Sequence, residues 1–419
     1  MLGEILATGD EIRTGALVDS NSALIAELLE QNGVETTRHH AVGDDLPMLV
    51  AVIKEIGRRA DVAVVTGGLG PTEDDLSTAA AAEAAGVTLV PDARALEEIE
   101  AFFRQRGRPM SVSNRKQAYF PQGARCLYNA LGTAPGFQMR IDHCTFFFLP
   151  GVPHEMRAML REQVVPALEA MQGAAREFRL TRVVSTFGLP ESSVGERVAG
   201  IGDAFPSIKL GLRAKFPEIQ VKLYLNTPDE AQGRATLAGA VQWVTDRLEP
   251  HVFSVNERSL AAEVGEILKQ RGATLALAES CTGGLISNWL THTAGSSDYF
   301  LFSAVVYSNK SKVKVLGVSE ETLADKGAVD EETARQMAEG ARLAAQATYG
   351  LSTTGIAGPG GGSAEKPVGT VCIGLAGPEG SVSRKFTLSF GQRQMNKQLF
   401  AMLALDCLRR HLSAGDKSA

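Results

Sequence analysis

Two apolar runs in this chain each end in a turn of small residues and resume as a helix, and few folds accommodate that order. Asp61-Val62-Ala63-Val64-Val65 runs into Gly67-Gly68. Thr274-Leu275-Ala276-Leu277 runs into Ala278-Glu279-Ser280-Cys281-Thr282-Gly283-Gly284, ahead of the helix-like Leu285 to Leu290. A short apolar run without alternation reads as a strand buried on both faces, as in a sheet covered by helices. The flanking pattern agrees. Glu4 to Ala7 reads as a strand, and Asn21 to Glu30 as a helix stopping at Asn32-Gly33. Val34 to Val42 alternates like a strand, and Asp45-Leu46-Pro47 opens a helix through Ile56 with proline in its first turn. Ala-rich Ser77 to Ala85 continues as helix, and Thr145 to Leu149 is another buried strand. This βαβαβ rhythm predicts a mostly parallel sheet covered by helices.

After a helical stretch from Glu155 to Met171 the character changes. Arg179 to Thr186, Ser207 to Leu212 and Ile219 to Leu225 read as strands, with helices at Ser192 to Val198 and Ala231 to Leu248. That is a small α+β unit. A polar boundary at His251 to Arg258 precedes the amphipathic helix Leu260 to Gln270, and helix and strand then alternate up to a helix at Met395 to Leu412. Ser413 to Ala419 reads as a frayed tail. At 419 residues the chain exceeds what one core usually serves. The expected domains are residues 1–172, 173–250 and 256–413. A net charge of -6 argues against a general nucleic-acid or anionic-membrane preference. No apolar run is long enough to span a bilayer, and the acidic start lacks the basic region of a signal peptide. Five scattered cysteines without a CxxC suit a reducing compartment and argue against structural zinc. The expectation is a soluble cytoplasmic protein.

Ser280 falls at a strand-to-helix turn, where a small side chain is exposed and following amides are unpaired. A serine hydroxyl needs a base to attack, and no nearby His or Asp supplies one. Lys312 is the candidate, since a desolvated lysine loses basicity enough to accept that proton, with Tyr307 to relay or orient. The glycine-rich Thr353 to Ser363 could converge amides on a phosphate or carboxylate. Blander readings stand beside these. Ser280 could be a helix cap, Cys281 a nucleophile or a small buried hydrophobe, Tyr307-Ser308-Asn309 a plain turn, Lys312 a solvated charge and the glycine loop a flexible connection. In the N-terminal unit, Thr66 to Asp75 leaves a strand through Gly67, Gly68 and Gly70 and enters a helix, a place where phosphate binds. Asp74 and Asp75, with Asp10, Glu11 or Asp19, could hold a hard divalent cation. Alternatively Thr72 caps the helix and the acids complement its dipole.

Taken together the motifs carry a resemblance. Along nearly its whole length the chain resembles the CinA (competence/damage-inducible protein A) family. The matching pieces are Thr8-Gly9-Asp10-Glu11, Asp19-Ser20-Asn21-Ser22, Gly67 to Thr72, Gly132-Thr133-Ala134-Pro135-Gly136 and Leu149 to Met156. In the last unit they are Ala278 to Gly284, Ala294-Gly295-Ser296-Ser297, Tyr307-Ser308-Asn309 with Lys312, and Thr354 to Pro359 continuing to Lys366-Pro367-Val368-Gly369-Thr370. The resemblance implies an α/β protein with a three-layer molybdopterin-binding-like N-terminal domain, a small KH-like α+β domain and a C-terminal α/β deamidase domain. Arg179 to Leu225 contains no GxxG clamp, which argues against RNA binding.

By that resemblance the C-terminal domain hydrolyses nicotinamide mononucleotide (NMN) to nicotinate mononucleotide and ammonia without a cofactor. Ser280, Tyr307 and Lys312 would be catalytic, and Thr282, Gly283, Gly284, Asn309, Thr354, Gly355 and Gly358 would bind substrate. The N-terminal domain would split ADP-ribose into AMP and ribose 5-phosphate, using magnesium, manganese or cobalt. There Asn21, Gly67, Gly68, Gly70 and Thr72 would line the site, and Asp10, Asp74 and Asp75 would hold the metal. Both reactions salvage products of NAD breakdown, and a homodimer is expected. A non-catalytic scaffold in DNA uptake or damage response, and a molybdopterin-handling protein, are the alternatives.

Overall fold

Alternation along the buried strands sorts their side chains onto two faces, and helices cover both. The structure, a computed structural model, describes residues 1–173 and 177–414; the tail expected to fray lies outside them from residue 415 onward. The chain divides into two compact units, Met1–Thr181 with Leu225–Ala235, and Arg182–Tyr224 with Thr236–Ala419.

In the first unit six strands form one sheet in the order Glu35–Val42, Leu2–Thr8, Val62–Thr66, Cys144–Leu149, Gly136–Ile141, Arg125–Leu127. The first four are mutually parallel and the last two run antiparallel to their neighbours. Ile5, Val62, Val64, Phe147 and Leu149 face one core, with Ile25 and Leu29 of the Ser20–Gln31 helix. Leu6, Ala63, Val65, Phe146 and Phe148 face another, with Leu49 and Ile53 of the Leu46–Gly57 helix. This is the expected three-layer arrangement. The stretch read as one helix from Glu155 to Met171 is instead Pro153–Met159, a π-helical Leu160–Val164 and Val165–Gln172. Pro166 lacks an N–H and crowds the preceding turn, so the ladder widens just ahead of it.

The middle strands Ile208–Lys215, Glu218–Thr227, Phe178–Phe187 and Val252–Ser254 form a four-stranded sheet in that order. They accompany helices Glu191–Val198 and Glu230–Leu248.

A five-stranded sheet follows, in the order Phe300–Val305, Leu275–Glu279, Tyr349–Gly355, Thr370–Gly377, Gly380–Thr387. The first three strands are parallel, the rest antiparallel. Leu275 and Leu277 pack with the Leu260–Gln270 and Arg393–Ala414 helices. Ala276 and Ala278 pack on the other face against Met337 and Ala341 of the Glu331–Ala345 helix. Among the described residues no helix is long and apolar enough to cross a membrane.

The Glu331–Ala345 helix lies so close to two strands of the sheet that no side chain fits at Gly350 or Gly374. A Cβ at Gly374 would overlap the carbonyl oxygen of Ala334, and one at Gly350 that of Ala338. Gly374→Ala should therefore lower stability by about 1–3 kcal/mol. A thermal melt checks this, and an unchanged melting temperature would refute the close packing.

Candidate active sites

The Leu275–Glu279 strand has the Phe300–Val305 strand on one side and Tyr349–Gly355 on the other. Its successive connections leave in opposite directions, which opens a crevice beyond its carboxyl end. Ser280 stands there. Its N–H donates to the Thr353 carbonyl at 2.9 Å, continuing the ladder one residue past the strand. Lys312 comes from the Asn309–Leu316 helix, whose start is fixed by a capping box between Ser308 and Ser311. The Lys312 Nζ donates to the Ser280 Oγ at 3.0 Å and to the Val306 carbonyl at 2.8 Å. Lys312 is 1% exposed, and among the described residues no carboxylate pairs with it. Burial holds its ammonium below the usual lysine range. It is not a solvated charge.

Ser280 is not a helix cap either. The Leu285–Thr291 helix begins after Gly284, and the carboxylate of Glu279, not the Ser280 hydroxyl, takes the amides at its start. Cys281 is buried, and burial pushes its thiol up to about 12, which suits a small hydrophobe and not a nucleophile. The turn's own hydrogen bonds take the amides of Gly283, Gly284, Ile286 and Ser287. Among the described residues the amides of Cys281 and Thr282 find no acceptor outside their own residue.

A pocket of about 260 Å³ opens over this pair, lined among others by Ser280, Lys312, Tyr307, Thr354, Gly355 and Gly358. The Thr282 hydroxyl is instead buried against that of Thr353 at 2.7 Å, and the Gly284 amide donates to Glu279. Thr282, Gly283, Gly284 and Asn309 do not line the pocket. The Thr354 hydroxyl donates to the Ala328 carbonyl, which occupies its proton. Tyr307 is 63% exposed at the rim, where its hydroxyl accepts from Arg393 at 2.9 Å. Arg393 also donates to the Gly358 carbonyl at 2.6 Å and lines the pocket. Sequence reasoning missed Arg393, since it opens a helix with no motif around it.

The N-terminal unit repeats the logic. Thr8, Thr66 and Leu149 end adjacent parallel strands, and a cleft of about 470 Å³ lies beyond them. Gly67 and Gly68 adopt φ of 105° and 66°, and a Cβ at Gly67 would stand 2.6 Å from the Thr8 carbonyl oxygen. The loop needs glycine at both. Asn21 donates to the Thr66 hydroxyl at 3.0 Å and the Gly151 carbonyl at 2.7 Å, tying the Ser20–Gln31 helix to two strand ends. Gly67, Gly68, Gly70 and Asn21 all line the cleft. The helix starts at Ser77, not at Thr72. Thr72 closes a turn on Asp75, donating to it from both N–H and hydroxyl, and Lys116 donates to the Thr72 and Asp75 carbonyls. Thr72 therefore caps no helix.

Asp74 and Asp75 line the cleft with Asp44, Glu11 and Asp19, whereas the Asp10 carboxylate is bonded to Arg13 outside it. Asp19 caps the Ser20–Gln31 helix. Burial, and the nearby charges of Asp10, Asp74 and Glu11, push the Asp44 carboxyl up. Among the described residues none of the carboxylates lining the cleft is paired in a salt bridge, though Asp44, Asp75 and Asp19 each accept hydrogen bonds, and clustered carboxylates suit a hard cation. They do not form a cage, for among the described residues no three of His, Cys, Asp or Glu converge as a metal would require. Such an open set suits only a divalent cation that takes one or two carboxylates and completes its shell with water and substrate phosphate.

Comparison with known proteins agrees with this architecture. The relative "CinA-like protein" of Desulfosudis oleivorans is 53% identical over 412 residues, covering 98% of this chain and all of that one. The chain belongs to the CinA family. The same name is carried by a Geobacter metallireducens protein, 41% identical over 97% of this chain and 98% of its own. Family profiles match in three blocks: a probable molybdopterin binding domain at residues 4–170, a damage-inducible protein CinA KH domain at 181–254 and a CinA C-terminal domain at 257–412. A solved "competence/damage inducible protein" of Agrobacterium tumefaciens is 40% identical, covers 37% of this chain and 93% of its own, and has a TM-score of 0.36.

The buried lysine has a measurable consequence. Because its folded pKa is lowered, the unfolded chain binds more protons between that value and about 10.4, the ordinary value for lysine. The destabilisation is full below the lowered value and fades as pH rises through the window. Lys312→Met should raise the melting temperature at neutral pH by roughly 2–4 °C and flatten its rise toward alkaline pH. A lower melting temperature would count against an unpaired buried cation.

Proposed function

We propose that the C-terminal site is an amidohydrolase acting on NMN, giving nicotinate mononucleotide and ammonia. The observation that carries this is the Lys312 Nζ, desolvated and 3.0 Å from the Ser280 Oγ. Ser280 attacks the carboxamide carbon while Lys312 takes its proton. The oxyanion lies against the Cys281 amide, which lines the pocket. Lys312 returns the proton to the departing ammonia, then activates a water that frees the acyl group from Ser280. Arg393 supplies the fixed cation of the pocket, and its fork suits the phosphate. Tyr307 acts through its hydrogen bond to Arg393, at the mouth and not at the proton transfer.

The N-terminal cleft, the larger of the two, we assign to ADP-ribose. The Gly67 to Gly70 backbone lines this cleft, where it can meet a pyrophosphate. Asp44, Asp74 and Asp75 would hold a divalent cation, which when bound neutralises charge on the pyrophosphate. Asp10 orients Arg13 at the rim.

Ammonia release from NMN tests the first assignment. Ser280→Ala and Lys312→Ala should each lose at least about 1,000-fold in kcat, and wild-type protein that releases none would overturn it. Arg393→Ala should raise KM for NMN about tenfold or more while leaving any slow hydrolysis of free nicotinamide unchanged. Equal losses on both substrates would remove Arg393 from the phosphate. AMP release from ADP-ribose should stop on chelation and fall in Asp44→Asn and Asp75→Asn, whereas activity surviving all three would refute the N-terminal assignment.

A further inference from the structure

Next to Ser280 stands a carboxylate that no step of the hydrolysis uses. Glu279 ends the Leu275–Glu279 strand and is fully buried. Its Oε2 accepts from the N–H groups of Gly284 at 2.9 Å and Ile286 at 3.2 Å. Its Oε1 accepts from the N–H of Ser287 at 2.8 Å and the Ser287 hydroxyl at 2.6 Å. An ionised carboxylate has about four acceptor positions, and here all are filled by the start of one helix. The Ser287 hydroxyl also meets that of Ser303 at 2.6 Å, on the adjacent parallel strand.

The backbone of the same residue reaches the other half of the pair. The Val306 N–H donates to the Glu279 carbonyl at 2.8 Å, and the Val306 carbonyl accepts from the Lys312 Nζ at 2.8 Å. One residue thus holds the helix that follows the nucleophile and, through Val306, the base. We propose that Glu279 is the positioning residue that sets the Ser280–Lys312 geometry, and that its carboxylate takes the helix-start amides and leaves the Cys281 amide to face the reacting oxygen. This rests on the reading of Ser280 as nucleophile.

The chemistry calls for a carboxylate at this place. Glutamine presents one oxygen, and its NH₂ would face amide donors, leaving part of the helix start unbonded. Aspartate is one methylene too short to reach Ile286 and Ser287 together. In both variants the turn can slide while the sheet beneath it stays packed.

A fluorophosphonate that phosphonylates reactive serines reads this geometry without depending on the natural substrate. Labelling of Ser280 in the full-length protein is followed at increasing probe concentration, and melting curves confirm folding. In Glu279→Gln the limiting rate should fall about 100-fold, as for a displacement near 1 Å, while the half-saturating concentration stays within about twofold, because the pocket is intact. Ser287→Ala, which removes one bond of the four and leaves Glu279 in place, should lower the limiting rate about tenfold by the same partial displacement. A limiting rate at the wild-type level in folded Glu279→Gln overturns the proposal. Should that variant fail to fold, the wild-type rate in Ser287→Ala overturns it. Wild-type protein that reacts with the probe but releases no ammonia from NMN overturns the substrate assignment alone. An unreactive wild-type Ser280 overturns the nucleophile and the positioning role together.

Discussion

An ammonium group taken out of water with no carboxylate beside it is held by dipoles alone. Lys312 has one hydroxyl and one carbonyl oxygen, and neither compensates for lost hydration as a counter-ion would. The surroundings must therefore be held rigidly enough that the group cannot swing out. Three features do this. The Asn309–Leu316 helix is closed by its capping box, Leu316 and Val318 anchor its far end in a core, and the Val306 carbonyl is fixed by the next strand. The carboxylate closest in sequence to the nucleophile, Glu279, is directed away from the lysine and into the helix amides. Were it turned toward Lys312, the pair would form a buried ion pair and the lysine would lose its use as a base.

Much of this was legible in the sequence, and the boundary of legibility is physical. Buried parallel strands carry continuous apolar runs, so Val62–Thr66, Cys144–Leu149 and Leu275–Glu279 stood out. The Gly136–Ile141 and Arg125–Leu127 strands did not, because they are short or interrupted and their pairing partners lie across turns. The Ser280 turn was placed correctly, yet Glu279 was read as part of the turn when it closes the strand. A carboxylate gives no apolar signal, and burial of a charge cannot be seen in periodicity. Arg393 was invisible for another reason: it lies 86 residues from Tyr307 along the chain, and only the fold brings them together. Asp44 was likewise lost in a loop that looked like an ordinary helix cap.

The two units place their candidate sites by one rule, the crevice beyond the carboxyl ends of parallel strands where connections diverge. They use it differently. In the first unit carboxylates crowd the crevice and burial raises Asp44. In the second, cations do, and burial lowers Lys312. The same desolvation thus pushes both groups toward neutrality, one by keeping a proton and the other by losing it. Opposite chemistries follow from one architecture because the residue types at the strand ends differ.

The glycines beneath the Glu331–Ala345 helix carry a further implication. With Gly350 and Gly374 allowing helix backbone to rest on strand backbone, the height of the helix above these two strands is set by main-chain atoms that no substitution can trim. The Ala276, Ala278, Met337 and Ala341 side chains beside them must then fill a gap of fixed depth. Sequence drift in this layer is thereby confined to side chains of nearly constant volume, however freely the exposed face of the same helix changes.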